Sequence, residues 1–170
     1  MKSYKIKLIM VVIISVLFIG GYTYQQRERE LQGSKPKDFN IVLNYGVEAK
    51  NQIDTINGRF TKDMITLEPV KVQLKLTEEE MNIIYEEIKK IDILNYPNYY
   101  KIKSEAFKIP HEKYILRVVM NGEEKTILWD ENNSIDGEVV KLNNIVKKIR
   151  DMIENKKEYK SLPEAVGAYC

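Results

Sequence analysis

The first apolar run, Leu8 to Tyr24, constrains this chain more than any other stretch. It reads LIMVVIISVLFIGGYTY. A helix of about 17 residues reaches roughly 25 Å, the short end of what crosses a bilayer core. Each central Leu, Ile, Val or Phe favours insertion by roughly 0.3–0.6 kcal/mol, so about ten of them supply a few kcal/mol. Lys2, Lys5 and Lys7 precede the run, and Arg27 and Arg29 follow it, interleaved with Glu28 and Glu30. The positive-inside rule then keeps the N-terminus in the cytoplasm and leaves the body of the chain outside. Tyr22 and Tyr24 fall where an interfacial aromatic belt would lie. A cleaved signal peptide shares the basic start and the apolar length. It also ends in a small-x-small site, of which Gly21-Tyr22-Thr23 is a poor version. The expectation is therefore a single-pass anchor, with cleavage and secretion as the alternative.

This gives a layout of a basic cytoplasmic tail at 1–7, a transmembrane anchor at 8–24, a linker at 25–37 and an extracytoplasmic domain at 38–170. The linker ends in Gln32-Gly33-Ser34-Lys35-Pro36-Lys37, rich in helix breakers. About 140 residues then remain, enough for one domain with its own core.

Charge follows the same division. Of 27 Lys and Arg, five precede Leu31, together with only two of the 25 acids. The mild net charge of +2 is thus topological, and nucleic acid is not an expected partner. Abundant Lys, Ile, Asn and Tyr match AT-rich coding sequence and a low-GC bacterium.

The domain opens with Asp38–Val47, where Phe39, Ile41, Leu43, Tyr45 and Val47 alternate with polar positions as in a strand with one buried face. A second short strand lies within Lys50–Phe60 and ends near Asn57-Gly58; Thr61–Met64 reads as a turn or irregular edge. Pro69–Leu76 alternates cleanly. Thr77-Glu78-Glu79-Glu80 forms a capping box, and Met81, Ile84, Tyr85, Ile88 and Ile91 make the stripe of a helix from about Glu78 to Asp92. Asn95–Tyr100 is a tyrosine-rich turn. Tyr114–Asn121 and Glu124–Asp130 form a hairpin across Asn121-Gly122, with Ile127 and Trp129 on one face against Thr126, Leu128 and Asp130 on the other. Leu142, Ile145, Val146, Ile149, Met152 and Ile153 keep helical spacing within about Gly137–Glu158. The expected fold class is α+β: an N-terminal transmembrane helix, then a mostly antiparallel sheet in β-β-β-α-β-β-α order, with two amphipathic helices on one face.

The search for chemistry is mainly one of exclusion. His111 is the one histidine and Cys170 the one cysteine, so a conventional zinc cluster cannot form and no metal is expected. The cysteine is also not placed after the apolar run, where a lipid anchor would need it. No nucleophile elbow, P-loop or dinucleotide fingerprint is present, and no cofactor is expected. His111, beside Pro110, reads as a loop residue. The loop Asp130–Glu138 is rich in oxygen ligands but lacks the EF-hand pattern, and a turn plus an N-cap accounts for it. Two stretches offer binding candidates. Asn51–Met64 carries Asp54, Thr55, Lys62 and Asp63 without a strong core pattern to explain them. Tyr99 and Tyr100 lie in the tyrosine-rich turn, where aromatic side chains suit a contact surface for protein or glycan.

Four segments carry a resemblance: YGVEAKNQIDTINGRFTKDMI (Tyr45–Ile65), LTEEEMNIIYEEIKKIDILNYP (Leu76–Pro97), ILWD (Ile127–Asp130) and KKEYKSLPEAVGAY (Lys156–Tyr169). Over most of the domain the chain resembles a group of small, uncharacterised exported proteins of low-GC Gram-positive bacteria. The resemblance implies an outward-facing location and no particular activity or site residue.

The expected function is a membrane-anchored extracytoplasmic domain that binds an envelope protein or cell-wall component without catalysis. The alternatives are a histidine-independent hydrolase using carboxylates such as Asp54 and Asp63, and a secreted inhibitor-like module.

Overall fold

Strand β1 (Asn40–Tyr45) buries Ile41, Leu43 and Tyr45 and leaves Asn40, Val42 and Asn44 half-exposed, the two-residue period of a sheet with one wet face. The computed structural model describes residues 34–101, 109–133 and 136–169. From Pro36 onward the chain makes one compact unit. β1 pairs on one side with β2 (Asn51–Asp54), which pairs with β3 (Arg59–Met64), which pairs with β4 (Leu67–Gln73). On its other side lie β5 (Lys113–Met120) and then β6 (Glu123–Asp130). Every neighbouring pair is antiparallel. The fold is α+β.

The β5–β6 hairpin closes at Asn121-Gly122, both with positive φ, the two-residue turn whose twist suits the flanking strands. Asp38 accepts from both turn amides, at 3.0 and 2.7 Å. These bonds hold the Asp38 carboxyl below the usual carboxylate range, the Gly122 amide contributing most.

Helix α1 (Glu78–Lys90) starts as its sequence dictates. The Thr77 hydroxyl accepts from the Glu80 amide, and the Glu80 carboxylate accepts from the Thr77 amide. Helix α2 (Gly137–Glu154) is capped by Asp136, and a single turn, α3 (Lys157–Lys160), follows. The apolar stripes of α1 and α2 join Phe39, Ile41, Leu43, Phe60, Leu116, Ile127 and Trp129 in one core. Phe39 meets Tyr85 edge-on with centroids 5.2 Å apart, and Phe60 meets Tyr159 at 5.3 Å.

The fold class expected from the sequence is corrected here. The order is β-β-β-β-α-β-β-α with a short final turn, and the sheet has six strands among the described residues. The extra strand is β3: Thr61–Met64, read as a turn, is its greater part, and Thr55–Gly58 makes the hairpin turn before it. The expected transmembrane helix is also corrected. Among the described residues no helix is long and apolar enough to cross a membrane. The basic tail 1–7, the segment 8–24 and residues 25–33 of the linker lie outside the described residues.

Candidate functional site

Among the described residues the helices pack on the sheet face that carries the core, and the residues alternate to the core pave the other face. Asn44, Ile115 and Leu128 are register partners in a row across β1, β5 and β6. The row is extended by Tyr99, which bridges in parallel to Leu128. Tyr100 N donates to the Leu128 carbonyl at 3.0 Å and Leu128 N to the Asn98 carbonyl at 2.9 Å, so Asn98–Tyr100 covers part of the β6 edge. Tyr100 turns inward: it is buried, and its hydroxyl donates to Glu138 at 2.5 Å. Burial, reinforced by Glu138, holds that hydroxyl well above the ordinary tyrosine range.

A cleft of about 370 Å³ stands on this row. Ile115, Leu128 and Trp129 contribute apolar surface, Tyr99 and Tyr100 line one side, and His111, Lys113 and Asp130 supply the polar end. Leu128 is 38% and Tyr99 58% exposed, and the bridge between them sets the two side by side. A smaller hollow of about 230 Å³ shares Glu48, His111 and Lys113 with the cleft and is lined further by Tyr169.

The polar end is built by hydrogen bonds. His111 Nε2 lies 2.8 Å from Asp130 Oδ2. Asp130 Oδ1 accepts from the amide and the side chain of Asn132, both at 2.8 Å, while Asp130 N donates to Asn133 Oδ1 at 2.9 Å. Both Asp130 and Asn133 are buried. Next to this group, Glu112 Oε2 accepts from the Tyr114 hydroxyl at 2.6 Å and from Arg150 at 3.3 Å, and Arg150 lies 4.8 Å over the Tyr45 ring. Glu48 and Lys50 pair at 2.7 Å on the rim; each shifts the other toward its charged form.

The residues singled out in the sequence divide between places. Tyr99 and Tyr100 line the cleft. Asp54 and Thr55 stand at the far end of β2. Asp54 accepts from the Asn57 amide and side chain at 3.0 and 2.6 Å, and the Thr55 hydroxyl bridges to the Ile41 amide and carbonyl at 2.8 and 2.9 Å. Lys62 and Asp63 contact the C-terminal tail: Lys62 Nζ donates to the Pro163 carbonyl at 2.8 Å, and the Tyr169 hydroxyl donates to Asp63. Asp54 pairs with Arg59, four residues along β3 from Asp63. Four residues of strand span about 13 Å, beyond the roughly 5–9.5 Å that separates working carboxylate pairs. The two carboxylates are thus not brought together.

His111, Ile115, Leu128 and Asp130 were not among the candidates, yet the hairpin signal could have found them. A two-residue turn at Asn121-Gly122 fixes Lys113 opposite Asp130 and Ile115 opposite Leu128. His111 precedes Lys113 by two residues. Among the described residues no three His, Cys, Asp or Glu are placed to hold a metal ion. Comparisons with protein families, with curated proteins and with solved structures give no match to this chain.

Proposed function

We propose that this is a non-catalytic binding domain acting outside the cytoplasm, and that its partner is an envelope protein. The partner would dock an apolar side chain on Ile115 and Leu128 and a polar group at His111 and Lys113. The observation that carries the reading is the cleft itself. Its size and its apolar floor with a few convergent polar groups match what ligand sites require. The His111 imidazole is held by Asp130 at the polar end, which fixes one polar group in place for a partner to meet. Export is supported by the apolar run Leu8–Tyr24 with three lysines before it.

The test is capture from intact envelopes by the tagged wild-type chain and by Leu128→Asp and Tyr99→Ala. Both side chains are exposed, so neither change disturbs the core. A stoichiometric partner held by the wild type and lost, at least tenfold, with Leu128→Asp is the expected result. A partner retained equally by all three chains would show that binding occurs elsewhere.

A further inference from the structure

The polar residues of Asn51–Met64 meet the C-terminal tail along an extended path. Lys62 holds the Pro163 carbonyl at 2.8 Å. Val166 bridges in parallel to Ile65: its carbonyl accepts from the Thr66 hydroxyl at 2.7 Å and the Thr66 amide at 3.3 Å, and its amide donates to the Met64 carbonyl at 3.3 Å. Three residues on, the Tyr169 hydroxyl donates to Asp63, and the Lys50 ammonium lies 5.2 Å from the Tyr169 ring centroid.

Two features make this a selective seat. Gly167 has φ +104°, and a Cβ there would stand 2.7 Å from Thr66 Cγ2, so only glycine fits. Ile65 has φ +63° at the centre of a γ-turn closed by Thr66 N to Met64 O at 2.8 Å, a strained state for a β-branched residue. Asp63 Oδ1 accepts from the Ile65 amide at 3.0 Å and so holds that turn. The strained turn aims the Met64 carbonyl and both Thr66 donors at the backbone N–H and C=O of a single residue, Val166. Strain of this kind persists where surroundings impose it, and it concentrates at sites that bind. The occupant is accessible from solvent, since Pro163–Ala168 are all exposed.

We infer that this seat is a peptide-recognition site for an extended segment of the pattern Gly-x-Tyr, whose preceding residue is held through its backbone alone. It is filled in cis by the chain's own tail and, when that tail is displaced, by the same segment of a second copy. The second copy is the occupant because it brings the one segment whose contacts are already visible, and exchange of identical elements replaces each bond by its equal. The cis tail wins at low concentration because its effective concentration is high. A tail that no longer fits removes that advantage. The site goes beyond the cleft reading, because it uses none of Tyr99, Ile115 or Leu128.

The test uses two full-length chains with different tags. Gly167→Val spoils the tail and keeps the seat. Asp63→Asn with Thr66→Val spoils the seat and keeps the tail. Mixed, each should capture the other at least tenfold above a pair in which both chains carry the seat changes. Capture at that background, with both chains folded by circular dichroism, would overturn the inference. A synthetic peptide of residues 161–169 gives a second readout independent of the seat variant's folding. It should bind the Gly167→Val chain at least tenfold more tightly than the wild type, and a peptide carrying Gly167→Val should bind neither. Equal binding of the peptide to both chains would also overturn it.

Discussion

His111 Nε2 and Asp130 Oδ2 lie 2.8 Å apart on opposite arms of the hairpin that turns at Asn121-Gly122. The pair ties the segment entering β5 to the end of β6, and Asp130 also anchors Asn132 in the turn that leads toward α2. One buried carboxylate thus organises the polar end of the cleft. Asp130→Ala withdraws the acceptor from all three donors, and leaving these half-buried donors without it costs about 1 kcal/mol, the low end of the range for an unsatisfied group. Asp130→Asn keeps the shape and part of the acceptor capacity and should fall between. Urea unfolding followed by Trp129 fluorescence measures both. Equal midpoints for wild type and Asp130→Ala would mean the carboxylate organises nothing.

The start of α1 carries two separable contributions. Thr77→Ala removes one half of the capping box and should destabilise by about 1 kcal/mol. Glu80→Ala removes the other half together with its contact to Lys156 Nζ at 2.7 Å, which links α1 to the start of α3. It should therefore cost more than Thr77→Ala. A double-mutant cycle on Glu80 and Lys156 should give a favourable coupling of about 0.5–1 kcal/mol. Additive single changes would show that the ion pair contributes only geometry.

Phe60 is fully buried in β3 and packs on Tyr159. Phe60→Ala should cost about 3–5 kcal/mol, the range for deleting a large aromatic from a core. Thermal unfolding of the wild type and variant checks it. A loss under 1 kcal/mol would mean that Phe60 is not packed in the core.

β3 also shows why part of the fold was not legible. Its sequence sets Phe60, Lys62 and Met64 at alternate positions, so the lysine breaks the apolar alternation, and the pairing with β4 shifts register between Lys62 and Met64. Lys62 is tolerated there because its ammonium lies over Tyr159 and reaches the Pro163 carbonyl, a contact 101 residues away that no local pattern announces. The hairpin β5–β6 and helices α1 and α2 were legible because turn residues, caps and stripes are local signals. The cleft was half legible. Tyr99 and Tyr100 stood out as aromatics in a turn. Leu128 was visible as an apolar residue on the polar face between Thr126 and Asp130, but its meaning depends on Tyr99 arriving at the β6 edge. Asp63 stood out for lacking a packing role, and its partner Tyr169 lies 106 residues on.

Tyr45 is buried against the core, and burial holds its hydroxyl well above the ordinary tyrosine range despite the Arg150 cation over its ring. Tyr114 is shifted the same way by burial and by its hydrogen bond to Glu112. In the unfolded chain both hydroxyls ionise near pH 10. Above that pH the unfolded state has released protons that the folded state still holds, so stability falls as pH rises. The contribution is complete below about pH 10 and is lost progressively above it. Tyr114→Phe removes one of the two groups. The variant loses the bond to Glu112 at neutral pH, yet its stability should decline less steeply above pH 10 than that of the wild type. Lysines ionise in both chains, so the difference between the two slopes isolates the tyrosine. Urea midpoints measured from pH 8 to pH 11 give that difference, and parallel curves would mean that Tyr114 titrates as freely in the folded chain as in the unfolded one.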